Sequence, residues 1–206
     1  MSDSRVALVD YGAGNLRSLS AAFERAGAEV HVTDRPGELA RAAFLVIPGV
    51  GQAGAAMHAL RERGLTEAIM SALRGGASLF GVCVGMQLLF ARSEEGGTAG
   101  LGLLPGSATR LAGARRLPHM GWNDVEPATA HPLTTAFPAT CYFAHSYAVQ
   151  DAGERCLLAS TPVERGSFAS LVGEGRVAGA QFHPERSGTA GAAFLRAVLA
   201  WAGDAA

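Results

Sequence analysis

Leu79-Phe80-Gly81-Val82-Cys83-Val84-Gly85-Met86-Gln87-Leu88-Leu89-Phe90 is an apolar run with one cysteine and a glycine two places to either side of it. It reads as a buried strand over Ala77 to Val82, a turn at Cys83 and a helix from Val84 to about Arg92. With sulfur where hydrolases carry serine, this is the pattern of a nucleophile elbow, in which the reactive residue sits on a sharp strand-to-helix turn. Side chains at Gly81 or Gly85 would hold strand and helix apart. A cysteine at a helix N-terminus also has its thiolate stabilised by the backbone dipole. Most intracellular cysteines are small buried hydrophobes instead, but the paired glycines weigh against that reading here.

Working outward, the chain before the elbow alternates strand and helix. Arg5 to Asp10 reads as a buried strand, followed by the turn Tyr11-Gly12-Ala13-Gly14-Asn15 and a helix over Leu16 to Ala26. Glycines after a strand invite a dinucleotide-binding reading, with Asp34 as the ribose acid. Arg17 occupies the place of the third glycine, so the close helix-strand packing of that motif is missing. Glu29 to Thr33 reads as a second strand and Pro36 opens a short helix. Phe44 to Ile47 reads as a third strand, which ends in Pro48-Gly49-Val50-Gly51, where glycines leave the backbone itself presented. Helices over Ala53 to Glu62 and Thr66 to Leu73 lead back to the elbow. This alternation predicts an α/β fold with a mostly parallel open sheet and helices on both faces.

From about Ser93 the texture changes. Short β-rich runs at Ala108 to Leu111, Met120 to Val125, Cys141 to Val149, Ala169 to Val172 and Val177 to Phe182 predict an added β-rich portion in the second half, before a helix over Thr189 to Trp201. No linker separates the halves, so residues 1–206 are expected to form a single domain.

Composition excludes several functions. Of 206 residues 49% are hydrophobic and 17% charged, with a formal net charge of −1, so a folded protein without a nucleic-acid face is expected. Every one of the 17 basic residues is arginine, which rules out lysine-nucleophile and Schiff-base chemistry. Three cysteines without C-x-x-C spacing argue against a disulfide framework or a zinc site. Neither metal nor cofactor is expected. Asp3 and the short Val6 to Val9 run do not resemble a secretion signal, and no apolar stretch is long enough for a bilayer. A cytoplasmic protein is the expectation.

A cysteine nucleophile needs a base with its own orienting group. His31, His58 and His131 lie in unremarkable contexts. His183 ends the run Ala178-Gly179-Ala180-Gln181-Phe182, and Glu185, two residues on, would share its side of an extended segment. A carboxylate beside an imidazole fixes the tautomer and stabilises the imidazolium.

These stretches together resemble the class I, or triad, glutamine amidotransferases, and among them the glutaminase subunits of imidazole glycerol phosphate synthases of histidine biosynthesis. The resemblance is carried by Asp10 to Leu16, Pro48 to Gly51, Gly81 to Leu89, Pro118 to Asn123, His145-Ser146-Tyr147 and Gln181 to Glu185, in the family's order over nearly the whole chain. It implies a flavodoxin-like architecture and a Cys83-His183-Glu185 triad that hydrolyses glutamine through a γ-glutamyl thioester. It implies an oxyanion hole from the backbone of Val50, Gly51 and Val84. Substrate contacts would come from Gln87, Glu95, His145, Ser146 and Tyr147. The partner would be a (β/α)8-barrel cyclase that uses the ammonia to make imidazole glycerol phosphate and an aminoimidazole carboxamide ribotide. That heterodimer would dock through Tyr11, Gly12, Asn15, Met120, Trp122 and Arg186, and the isolated subunit would be weakly active.

Arg186 stands where the family usually has lysine, Val84 where leucine is common, and Ala53 and Ala148 where aromatics are expected. None of these removes a reacting group. Two other readings share the same residues. Another amidotransferase or a γ-glutamyl hydrolase would keep the triad without needing the Tyr11 to Asn15 or Trp122 signatures. A catalytically silent adaptor would bind a barrel without chemistry.

Overall fold

The computed structural model describes residues 5–204. Asp3, used above against a secretion signal, lies outside them. In the first half, β1 (Arg5–Val9), β2 (Glu29–Thr33), β3 (Phe44–Ile47) and β4 (Ser78–Val82) alternate with α1 (Leu16–Ala26), α2 (Pro36–Leu39), α3 (Ala53–Glu62) and α4 (Leu65–Arg74). The four strands are parallel, and β1 lies between β2 and β3. Every residue of β3 and β4 is buried, as their unbroken apolar sequences require of strands covered on both faces. α1 turns Leu19, Ala22 and Phe23 inward and ends at Gly27, whose φ of +106° is the left-handed cap that glycine adopts without strain.

α5 (Val84–Gln87) follows β4. The second half contributes β5 (Phe90–Ser93), β6 (Thr98–Ala99), β7 (Leu104–Arg110), β8 (His119–Pro127), β9 (Ala139–His145), β10 (Tyr147–Ala148), β11 (Leu157–Val163), β12 (Gly166–Glu174) and β13 (Val177–Ala180), then α6 (Gly188–Asp204). One nine-stranded sheet runs β2-β1-β3-β4-β13-β12-β11-β8-β9, and a four-stranded sheet runs β10-β7-β5-β6. The large sheet is parallel as far as β13 and antiparallel beyond it. Helices form two groups, α1 against α6 and α2 and α3 against α4. The fold is thus the expected α/β sheet with a β-rich extension.

Strand order reverses at β1, with β2 on one side and β3 on the other, and open α/β sheets bind ligands outside the strand ends at such a point. β4 and β13 are parallel neighbours with Val82 opposite Ala180. Cys83 and the Gln181-Phe182-His183 segment therefore emerge at the same edge. Phe182 fixes that emergence by packing on Phe194 of α6 with ring centroids 5.0 Å apart.

Two local expectations are corrected. The elbow helix is one turn long, not the span to Arg92, because the small sheet captures the chain: Leu101 N–H donates to Leu88 O, and Leu103 and Leu104 N–H to Leu89 O. The run Cys141 to Val149 is not one strand. It breaks at Ser146, β9 ending on the large sheet and β10 starting on the small one. The corner so formed is a wall of the site.

Candidate active site

Close approach of three backbones builds the elbow. A Cβ on Gly81 would stand 2.5 Å from Gly85 O, and one on Gly85 would run into the carbonyl oxygen of Ile47. A Cβ on Gly49, at the end of β3, would meet Gly85 N. Cys83 is the one non-glycine residue with positive φ among the described residues, at φ 54° and ψ −111°. Such backbone costs of order 1–3 kcal/mol and persists only where its surroundings over-determine it. Here Cys83 N–H donates to Ala180 O at 2.7 Å, and Cys83 O accepts from Met86 N–H at 3.0 Å and Gln87 N–H at 3.2 Å. Cys83 is 2% exposed.

The helix after Cys83 is a single turn and sums few peptide dipoles, so the neighbouring imidazole matters more to the sulfur than the helix does. His183 Nδ1–H donates to Glu185 Oε1 at 3.0 Å, and both side chains are buried. That leaves Nε2 for the sulfur. Burial pulls the His183 pKa down, but hydrogen bonds to Cys83 and Glu185 and their negative charges outweigh it and lift it to about 10. These partners favour the protonated ring. Glu185 reaches it by a route other than extended alternation: Pro184–Arg186 is a 3₁₀ turn that curls the carboxylate back. His183 is itself pinned, its N–H on Tyr142 O at 2.9 Å and its O on the Ser187 hydroxyl at 2.7 Å.

Cys83 and His183 line a cavity of about 180 Å³, together with Val50, Gly51 and Val84 at the ends of β3 and β4. Gln87, Glu95, His145, Ser146, Tyr147 and Arg186 complete most of the wall. The structure thus brings together the expected triad, oxyanion and substrate residues. Glu95 is partly engaged already, one oxygen accepting Ala53 N–H at 2.8 Å at the start of α3. His145 donates from Nδ1 to Tyr147 O at 2.9 Å and packs on Phe168 with centroids 4.9 Å apart. Burial and the neighbouring His119 push its pKa down to about 3, so it is a neutral wall residue. His31 and His58 are exposed, and His131 caps a 3₁₀ turn.

Of the residues expected at a docking edge, Gly12, Asn15, Met120, Trp122 and Arg186 are accessible, with Met120 64% and Trp122 58% exposed. Tyr11 is corrected: it is 1% exposed, and its hydroxyl donates to Pro48 O at 2.9 Å. It supports the Pro48 to Gly51 turn from behind instead of presenting a ring. Its apolar surroundings, then the nearby Cys83, raise its pKa.

Three residues at the site were not singled out from sequence. Tyr142, opposite Trp122 in the β8–β9 ladder, carries the Arg186 guanidinium 4.3 Å above its ring. Ala144 lines the cavity, and nothing local marks it. Gln181 touches Cys83 from below, its Nε2 3.7 Å from the sulfur. Strand alternation puts it on the side of His183, two residues on, and that signal was available.

Residues 7–200 match the family model of glutamine amidotransferase class-I. The chain is 44% identical to imidazole glycerol phosphate synthase subunit HisH of Symbiobacterium thermophilum, over 96% of this chain and 93% of that protein. It is 41% identical to subunit HisH 2 of Prochlorococcus marinus, covering 96% of this chain and 95% of that one. Among solved structures, a glutamine amidotransferase superposes with a TM-score of 0.78 at 24% identity, over 96% of this chain and 98% of the other. PurLQS from Thermotoga maritima gives 0.76 at 23%, over 98% and 99%. At these identities the two structures speak for the fold alone.

Proposed function

The chain belongs to the class I glutamine amidotransferases, as a glutaminase subunit of the imidazole glycerol phosphate synthase type, and from that premise we propose how its cavity works and what it feeds. The Cys83 thiolate attacks the side-chain amide carbon of glutamine, forming the C–S bond and placing negative charge on oxygen. Backbone N–H groups of Val84 and of the Val50-Gly51 turn receive that charge, and one such donor is worth ~3 kcal/mol. His183 Nε2–H gives its proton to the amide nitrogen, the C–N bond breaks and ammonia leaves. The neutral ring then takes a proton from water as it attacks the γ-glutamyl thioester, the C–S bond breaks, and glutamate and the thiolate are regenerated. Glu185 holds the Nδ1–H side throughout. Gln87, Glu95 and the His145-Ser146-Tyr147 corner hold the amino-acid end of the substrate.

One observation carries this reading: a buried His183–Glu185 pair and a cysteine held at strained φ line the same small cavity. An electrophilic glutamine analogue should add once, at Cys83, and leave the buried Cys141 and Cys156 free when peptides are read by mass spectrometry. Labelling elsewhere, or none, overturns it.

The ammonia has an acceptor in a cyclase subunit of (β/α)8-barrel form, docked over the cavity mouth. Exposed Met120 and Trp122, with Arg186 on Tyr142, form the kind of aromatic and arginine cluster that dominates protein interfaces. Gly12 and Asn15 extend it. Ammonia release measured with and without the cyclase tests this, and equal turnover in both would count against it. The nine-stranded sheet spans both halves of the chain, which supports treating 1–206 as one domain. Free thiols and a biosynthetic role favour the cytoplasm.

A further inference from the structure

Gln181 is fully buried, and its amide lies between the nucleophile and the substrate wall. Its Nε2 is 3.7 Å from Cys83 Sγ, and its Oε1 accepts from Gln87 Nε2 at 3.1 Å. Gln87 Nε2 also donates to Tyr147 O at 2.8 Å, so both N–H bonds of that amide are used. Its Oε1 is left buried without a partner, on a residue that lines the cavity.

The direction of this chain is fixed at one end by a main-chain carbonyl, which can only accept. Turning Gln87 over would set its oxygen against the oxygens of Tyr147 and Gln181. Turning Gln181 over would set two NH2 groups against each other and an oxygen against the thiolate. One orientation makes all three of these contacts, and it points an N–H at the sulfur and leaves the oxygen of Gln87, a cavity-lining residue, as an unpaired acceptor. Hydrogen bonds to an ionised partner are roughly twice as strong as neutral ones, and more so where little water competes.

We propose that Gln181 is a catalytic residue of this site, donating its side-chain N–H to the Cys83 thiolate while its carbonyl holds Gln87 with an oxygen facing the cavity. The same N–H meets the sulfur twice in a turnover, before attack and again when the thioester breaks. The proposal rests on Cys83 being the nucleophile.

The test uses the full chain and iodoacetamide, which needs neither substrate nor partner, with the alkylation rate of Cys83 followed by mass spectrometry across pH. In Gln181→Met the rate on the acid side should fall roughly 10-fold while the alkaline plateau stays, since losing a donor to a charged group shifts the thiolate equilibrium without closing the site. Gln87→Met should raise KM for glutamine. With the cyclase present, Gln181→Met should lower kcat roughly 10- to 100-fold. Gln181→Asn withdraws the donor by one methylene while keeping an amide, and serves if the methionine variant does not fold. An unchanged acid limb and unchanged kcat in a folded Gln181 variant overturn the proposal, and so does a fall in the plateau alone, which reports mere loss of access. Failure of the parent chain to react at Cys83 removes the nucleophile reading itself and is separately visible.

Discussion

Cys83 and His183 lie at the ends of adjacent parallel strands, yet they are held by opposite kinds of structure. The sulfur depends on backbone: β3, β4 and the elbow cross where only glycine fits, and the residue itself has φ 54°. The imidazole has ordinary extended backbone, φ −96° and ψ 97°, and is held by side-chain and main-chain hydrogen bonds from Glu185, Tyr142 and Ser187. A backbone crossing tolerates no added atom, whereas a hydrogen-bonded group can lose a partner and keep its place. The two halves of one catalytic pair should therefore fail differently.

Gly85→Ala is the sharpest way to break the elbow side. The new methyl group meets Ile47 O, a backbone atom inside a fully buried strand, so neither neighbour can yield cheaply. Overpacking ordinarily costs about 1–3 kcal/mol, and here the main chain itself must move, so a loss above about 4 kcal/mol is expected. Soluble yield and thermal unfolding read this, and an unchanged melting temperature would show that the crossing is looser than it looks.

The same asymmetry explains what could be read from residues in advance. Constraints on backbone space leave a written trace, because only glycine satisfies them; the elbow and the Pro48 to Gly51 turn were legible for that reason. His183 and Glu185 were legible as a pair, though through the wrong local geometry, since alternation was assumed where a 3₁₀ turn occurs. Pairings across the sheets leave little trace. The capture of Leu88 and Leu89 by the small sheet shortens a helix that local propensity would extend, and the break at Ser146 divides what reads as one strand. Tyr11 was placed by its motif at the surface, but its depth is set by Pro48, 37 residues away. Alternation puts Gln181 on the side of His183, but its partners Gln87 and Cys83, which give that placement meaning, are distant in the chain.

On the imidazole side, Glu185→Gln should leave the fold intact and lower kcat for ammonia release by about 100-fold, the range for general acid-base groups. It also has a pH signature. His183 has a folded pKa raised to about 10 by its partners against the burial that opposes them. A raised pKa contributes stability that is fully present below the unfolded value of about 6.5 and is lost as pH rises through about 10. The glutamine variant removes one source of that rise. The gap in melting temperature between parent and variant should thus be widest near neutrality and shrink as pH climbs toward 10. A gap constant across that range would mean that the carboxylate does not stabilise the imidazolium.

Trp122→Ala probes neither half and should leave stability and Cys83 labelling unchanged, since the residue is 58% exposed. Its effect belongs to docking. Truncating a central aromatic anchor commonly costs about 2 kcal/mol of binding, so cyclase affinity measured by titration should weaken roughly 30-fold. Undiminished affinity would move the interface away from β8.

The mildest change tests whether the backbone-held side also leans on a hydrogen bond. Tyr11→Phe deletes a buried hydroxyl and leaves Pro48 O without that donor, immediately before the glycine that crosses the elbow. The ring still fills its place, so only the bond is lost, at about 1 kcal/mol or slightly more for the stranded carbonyl. For a chain of 206 residues that is a fall of about 2–4 °C in melting temperature. If steric crossing alone fixes the Val50-Gly51 turn, kcat will not change. If Tyr11 shares in holding it, kcat should drop a few-fold with KM little altered, because the oxyanion donors act on the transition state more than on bound glutamine.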